Sequence, residues 1–357
     1  MKICIIGPVY TKFCFGGVAT FVEGLADGFK LDGHETYIIT DYTERKSTIY
    51  GTDIIGTFKK PSRKDIRMPF RIYEKVLEIN PDIIITSLEY GLVNKILNKK
   101  NKDKSIKTMH YLHAFPSVKR SKINNFFVEK ITKSISKSSK YVISNSTLTS
   151  VINSEIFNIN SNEIINIGVG YDFLQRLNQA DNNPFQPEFK NILFAGRLVK
   201  EKNVDLIIKA FKDLNRDDVI LNIVGDGNEK NNLIEISKGL ENRVVFHGSI
   251  PPKKIPEYFK GADVFISLNP HEPYGIVYLE ALCSSTSIVC PKTGGQMDTL
   301  INYKDRVKLI NPYDVKDITS KLDEALDLEF EEFSDEYIED TFTYRSVAKN
   351  ILNFIEK

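Results

Sequence analysis

Short apolar runs and amphipathic stretches alternate along nearly the whole chain. Lys2–Ile6 is a continuous apolar run, as in a buried strand; Gly17–Leu31 follows with Val18, Phe21, Val22, Leu25, Ala26 and Phe29 at three- and four-residue spacing. Thr36–Thr40, Asp82–Thr86 and Tyr141–Ser144 repeat the short β-rich run. Continuous apolar strands separated by helices predict parallel sheets covered on both faces. Leu177–Pro187 is polar, holds two prolines and shows little periodicity, so it reads as a linker. The alternation then restarts. Strands are expected at Asn191–Ala195, Val219–Val224, Arg243–His247, Val264–Leu268 and Ser287–Cys290. Helices are expected at Val204–Leu214, Ile255–Lys260 and from about Ile276 to Leu282.

This pattern predicts an α/β chain of two Rossmann-like domains, residues 1–172 and 189–340, joined by a linker over 173–188. The helical stretch at 341–357 is expected to cross back onto the first domain. Open α/β sheets bind ligands beyond the carboxyl ends of their strands, so the expected site is a cleft where two such edges face each other.

Composition narrows the class. The 357 residues exceed what one core usually holds, and 41% hydrophobic with 27% charged residues is a globular balance. No apolar run approaches the length of a membrane span. The first residues enter a strand without a secretory apolar region, which points to the cytoplasm. Cys4, Cys14, Cys283 and Cys290 form no CxxC pair and read as buried small hydrophobes, with no metal site.

Charge is uneven beneath a net of +1. Residues 1–170 hold 25 Lys+Arg against 16 Asp+Glu, a net of +9; the rest holds 23 against 31, a net of −8. The excess gathers in Lys95–Lys107 and Lys119–Lys140. It is either a solvated face or a surface for anionic lipid or a phosphate-bearing acceptor, which would place the protein peripherally at the inner face of a membrane. No aromatic platform is interleaved with these lysines, so nucleic acid is not an expected partner. Phe126, Phe127, Ile131 and Ile135 sit among them at helical spacing. Core packing is the expectation there, an interfacial helix the alternative.

Four loops carry residues suited to chemistry. Phe15-Gly16-Gly17-Val18 follows the first strand and opens a helix, where glycines let backbone approach a ligand and free amides favour phosphate. Gly196-Arg197-Leu198-Val199-Lys200-Glu201-Lys202-Asn203 puts Arg197 and Lys202 just past a strand, in reach of a diphosphate. In Glu272-Pro273-Tyr274-Gly275-Ile276, the amides near Gly275 and Ile276 start a helix, with Glu272 on the loop and Glu280 further along that helix. Pro291-Lys292-Thr293-Gly294-Gly295 brings backbone toward the same region. Paired carboxylates also suit hydrolysis, but the basic residues ahead of them favour a phosphate-bearing donor.

The order of these motifs, together with His110, Gly225-Asp226-Gly227 and Phe246-His247-Gly248, resembles the retaining GT-B glycosyltransferases of family 4, the glycosyltransferase group 1 family. The likeness covers nearly the whole chain and is densest over Asn191–Asp298. It implies a metal-independent transfer, with retention, from a nucleotide-diphosphate sugar, a UDP-sugar first, with no cofactor besides that donor. It also implies roles: the Gly17 amide on the donor phosphate with Gly16 beside it in the donor site, Arg197 and Lys202 on the diphosphate, Glu272 on sugar hydroxyls. Gly275 and Ile276 amides would meet the phosphate and Glu280 the ribose, with Gly225, Gly294 and Gly295 lining the donor site. His110 is expected to be the histidine near the transferred sugar, with His113 a nearby competitor. The implied acceptors are carbohydrate, lipid-linked or protein molecules in surface polysaccharide, glycolipid or glycoprotein assembly. The family pattern is departed from at Asp298, where glutamate is usual, at Ile167-Gly168-Val169-Gly170, and at Ser284-Ser285-Thr286. Competing functions on the same architecture are a non-catalytic nucleotide-sugar-binding subunit of a transferase complex, and a phosphorylase or epimerase.

Overall fold

The fold comes from a computed structural model of the chain, which describes residues 1–11, 16–60, 65–100, 106–115 and 122–357, without the side chains of 122–125. Cys14, Phe15 and the lysines at 101–105 and 116–121 lie outside the described residues. Contacts divide the chain into two compact units, Met1–Gly170 with Glu339–Lys357, and Tyr171–Ile338.

The first unit runs β1 (Lys2–Ile6), α1 (Gly17–Leu31), β2 (Glu35–Thr40), β3 (Asp53–Gly56), α2 (Met68–Ile79), β4 (Ile83–Ser87), α3 (Leu92–Lys100), β5 (Lys107–Leu112), α4 (Lys122–Ser136), β6 (Tyr141–Ser144), α5 (Thr147–Phe157) and β7 (Glu163–Ile164). Its seven strands lie in the order β3-β2-β1-β4-β5-β6-β7, and all pair in parallel. The order reverses between β1 and β4, which makes the crevice beyond their carboxyl ends the natural ligand position.

The second unit runs α6 (Tyr171–Asn178), β8 (Lys190–Ala195), α7 (Val204–Lys212), β9 (Val219–Val224), α8 (Lys230–Ile236), β10 (Val244–Gly248), α9 (Ile255–Lys260), β11 (Val264–Ile266), α10 (Ile276–Cys283), β12 (Ser287–Pro291), α11 (Met297–Leu300), β13 (Val307–Ile310) and α12 (Val315–Leu326). Its sheet order is β10-β9-β8-β11-β12-β13, again parallel throughout, with the reversal between β8 and β11. Strands β4, β9 and β12 are buried at every residue, as sheets sandwiched between helices require.

The polar stretch after Gly170 is not all linker. Residues 171–178 form α6, because Leu177 is buried and Phe173 meets Phe259 of α9 edge-on at 6.0 Å. Two anchoring side chains hold a helix whose composition reads as loop. After α12 the chain forms α13 (Asp335–Phe342) and α14 (Tyr344–Glu356), and α14 packs along α1 within the first unit. Glycine makes that packing close. A Cβ on Gly24 would fall inside the Tyr344 ring, and one on Gly28 would lie 2.5 Å from the Tyr344 carbonyl oxygen.

The expectation of core packing for Phe126, Phe127 and Ile131 is overturned. All three are exposed, and of that set only Ile135 is buried. At about 100° per residue, Val128, Thr132 and Ile135 fall on the opposite side of α4 from the phenylalanines, so a single face turns inward.

Gly28→Ala is expected to cost about 1–3 kcal/mol, because the clash is with backbone and no rotamer relieves it. Urea unfolding that leaves the first transition of this variant unchanged contradicts the packing.

Candidate functional site

In the second unit the loops after β8, β9, β11 and β12 meet above the β8/β11 reversal. Asn203 holds the β8 turn to the end of β11 by donating Nδ2 to the Leu268 carbonyl at 3.1 Å, and it takes a left-handed φ of 51°. This places Lys202 against the loop after β11, where its Nζ donates to Glu272 Oε2 at 2.6 Å. Asn269 Nδ2 donates to the same oxygen at 2.9 Å. The pair is more than four-fifths buried on both sides, so each charge depends on the other. Arg197 is exposed, on the turn just past β8.

That turn is clasped by glycine. Gly225 has φ 136°, and a Cβ on it would lie 1.9 Å from the Gly196 carbonyl oxygen; one on Gly227 would lie 2.2 Å from that of Leu198. The amides of Gly196 and Leu198 donate to Val224 and Asp226, and the amide of Glu229 to Leu198. The Gly-Asp-Gly loop thus fixes the height of the turn that carries Arg197.

Helix α10 starts at Gly275, whose φ of 80° turns the chain into it. No side chain caps the helix and its first turn holds no acid, so its opening amides and its dipole are left for an anion. Thr293 Oγ1 donates to the Pro270 carbonyl and the Gly295 amide to that of Glu272, which secures the acid-bearing loop from the β12 side. Glu280 lies just over one turn along α10, and burial pushes its carboxyl up from 4.5 to about 7.

In the first unit α1 begins at the Gly16-Gly17 turn, where Gly16 has φ 129°, no side chain caps the helix and no acid occupies its first turn. Phe21, one turn later, meets the His113 ring at 4.5 Å. His113 comes directly after β5, half-buried, with Nε2 2.9 Å from Ser87 Oγ at the end of β4 and its ring stacked on Tyr111 at 5.2 Å. Asn145 Nδ2 donates to its carbonyl at 3.0 Å. Burial, with a smaller push from His110, lowers His113 to about 3, so it is a neutral imidazole at pH 7.

Two sequence profiles match the chain: one described as "Glycosyl transferases group 1" over residues 175–342, the other as "Glycosyltransferase Family 4" over 15–165. The chain belongs to the group 1, family 4 glycosyltransferases. It is 28% identical to the alpha-monoglucosyldiacylglycerol synthase of Streptococcus pneumoniae over 76% of this chain and 67% of the relative. Its fold is similar to that of a sucrose-phosphate synthase from Thermosynechococcus elongatus, at 17% identity, 99% and 98% coverage and a TM-score of 0.75. The Anabaena protein HepE, solved with UDP, has 17% identity, complete coverage of both chains and a TM-score of 0.72. The two units of this glycosyltransferase are therefore the Rossmann-like units of a GT-B fold.

One site expectation changes with the geometry of this glycosyltransferase, and three glycines take on a defined structural part. His110 lies within β5, not in a polar loop, and is 2% exposed. Its Nδ1 is 3.0 Å from Thr86 Oγ1, and a Cβ on Gly91 would strike both its ring and Ile135 of α4. Burial lowers it to about 4. It is a packed core histidine on the helix side of the sheet, and His113 is the one at the strand's carboxyl end. Gly225 donates its amide to Gly248, and Gly295 donates to Glu272, so both amides are spent inside the protein. These glycines shape the site and do not offer N–H groups to a ligand. Gly294 has φ 118° and lies tight against the Gln296 amide, again a shaping position. Sequence reasoning missed Asn203 and Asn269, whose side chains hold the Lys202–Glu272 arrangement. Among the described residues no three His, Cys, Asp or Glu side chains gather as a metal site.

Glu280 gives a test with a definite sign. Its folded value lies above the unfolded one, so its contribution to stability is fully present below about pH 4.5 and is lost as pH rises through about 7. Glu280→Gln is expected to stabilise the second unit by about 1–2 kcal/mol at pH 8 and to leave it unchanged at pH 4; the gain is less than the full shift because the residue keeps some solvent contact. Equal gains at both pH values in urea unfolding contradict the buried carboxyl.

Proposed function

We propose that this glycosyltransferase moves a sugar, with retention and without a metal, from a nucleotide-diphosphate donor to an acceptor in surface polysaccharide, glycolipid or glycoprotein assembly. The observation that carries the proposal is the Lys202–Glu272 pair beside Arg197 and the uncapped start of α10, above the reversal of the second sheet. A sugar diphosphate needs those four features together. Its leaving phosphate gains negative charge as the glycosidic bond breaks, and Arg197, Lys202 and the α10 amides at Gly275 and Ile276 are the groups that stabilise it. The Glu272 carboxylate, fixed by Asn269, keeps acceptor capacity for sugar hydroxyls. Glu280 accepts from the ribose hydroxyls through its carboxyl oxygens.

UDP is the first nucleotide to try, since the similar HepE was solved with it. A lipid or surface-glycan acceptor is supported by the name of the pneumococcal relative and by a Klebsiella pneumoniae relative in a cps region. In the first unit we assign the amide of Gly17 to an anionic ligand group and take His113, in place of His110, as the histidine that meets a sugar hydroxyl. A neutral imidazole there donates to or accepts from a hydroxyl without adding charge to the site.

A panel of nucleotide sugars, with nucleoside diphosphate release as the readout, tests the proposal. Lys202→Ala and Glu272→Ala are expected to lose about 10²-fold or more in turnover while keeping the fold. Release from no donor, with several acceptors present, sinks it. Tight nucleotide binding without turnover selects the non-catalytic subunit instead, and phosphate-dependent cleavage or an epimerised sugar selects the third reading.

The two histidines separate in the same assay. His113→Ala is expected to cut turnover with little loss of stability, whereas His110→Ala is expected to cost stability by about 2–4 kcal/mol through the cavity it leaves. The reverse pattern restores His110 to the site.

A further inference from the structure

The outward side of α4 combines two properties that a solvated helix does not need together. Phe126, Phe127 and Ile131 are 50%, 58% and 38% exposed, against a background in which the large apolar residues of the flanking strands are buried. On the helical wheel they share an arc of roughly 160° with Lys130, Lys133 and Lys137, the last one residue past the end of α4, where its amide still donates to the Lys133 carbonyl. The two phenyl rings meet edge-on at 6.0 Å, and Lys130 Nζ sits over the Phe126 ring at 4.3 Å. Lysine stems flank an aromatic pair there and carry their ammonium groups at its border.

The surroundings are basic as well. Neighbouring α3 contributes exposed Lys95, Lys99 and Lys100, and Lys95 Nζ reaches Ser134 of α4 at 3.2 Å. The carboxylate on the same helix, Glu129, is paired with Lys133 at 2.6 Å. An exposed aromatic pair ringed by cations matches the interface of an anionic bilayer, where rings enter the headgroup boundary and ammonium groups stay at the phosphates. A second copy of this chain fits less well, because a two-fold contact through this patch sets the same lysines against each other.

We propose that the outward face of α4 docks this protein on an anionic lipid bilayer through Phe126, Phe127 and Ile131, with Lys130, Lys133 and Lys137 on the lipid phosphates. The docking face shares no residue with the donor site and does not rest on the donor assignment.

Co-sedimentation of the full chain with phosphatidylcholine vesicles, with and without phosphatidylglycerol, tests it. Binding is expected only with phosphatidylglycerol and is expected to weaken with added salt. Phe126→Ser/Phe127→Ser is expected to lower the partition coefficient roughly tenfold or more. Lys130→Glu/Lys137→Glu is expected to remove the dependence on phosphatidylglycerol. All four side chains are exposed, so unfolding midpoints and nucleotide binding are expected to stay at wild-type values, which separates this test from that of the transfer reaction. No binding to either vesicle, equal binding to both, or wild-type binding by the phenylalanine variant overturns the proposal. Self-association of the wild type that the phenylalanine variant abolishes, without vesicle binding, overturns it in favour of a second copy.

Discussion

Parallel strands can be joined only by crossovers, and in both units of this chain helices make nearly all of them. That constraint decides most of the architecture. The strands become buried on both faces, and the loops leaving their carboxyl ends gather along one edge. A reversal of strand order then opens a crevice in that edge, between β1 and β4 in one unit and between β8 and β11 in the other. The residues with chemistry to offer stand on those loops, while the strands beneath them carry almost nothing but packing.

Precision at the second crevice comes from backbone contact more than from side-chain pairing. Gly225 and Gly227 press the β9 loop onto the β8 turn at distances no other residue allows, and Asn203 ties that turn to the end of β11. Lys202 and Glu272 then meet, although seventy positions separate them in the chain. The pair holds two opposite charges ready in a partly dry place. In the proposed transfer a diphosphate would find there a cation it can recruit and a carboxylate already oriented by Asn269.

Much of this was legible from the order of residues. Strands such as Val219–Val224 and helices such as Ile255–Lys260 have the predicted bounds, since apolar runs and turn residues mark both ends. Arg197, Lys202 and Glu272 stand out because a charged residue in the loop past an apolar strand has few structural uses, and Glu280 stands out as a second carboxylate in the helix that follows. What a strand does to a histidine inside it was not legible. His110 and His113 are three residues apart and equally polar, and only the end of β5 at Leu112 separates a core position from an edge position. Glycines were also ambiguous: Gly225 and Gly295 sit where ligand-binding glycines sit, yet their amides are taken by Gly248 and Glu272. The face of α4 went wrong for a related reason. Helical spacing shows that Phe126, Phe127 and Ile135 can share a helix, but which arc meets the sheet depends on α3, which periodicity alone did not reveal.

At the centre stands the proposed diphosphate site of Arg197, Lys202 and the start of α10. Calorimetric titration of UDP, UMP and uridine into the wild-type chain and into Lys202→Ala tests it most directly. UDP is expected to bind at least about tenfold more tightly than UMP, uridine to bind most weakly, and Lys202→Ala to erase the margin between UDP and UMP. Equal affinity for UDP and UMP, or a margin that survives the loss of Lys202, contradicts it.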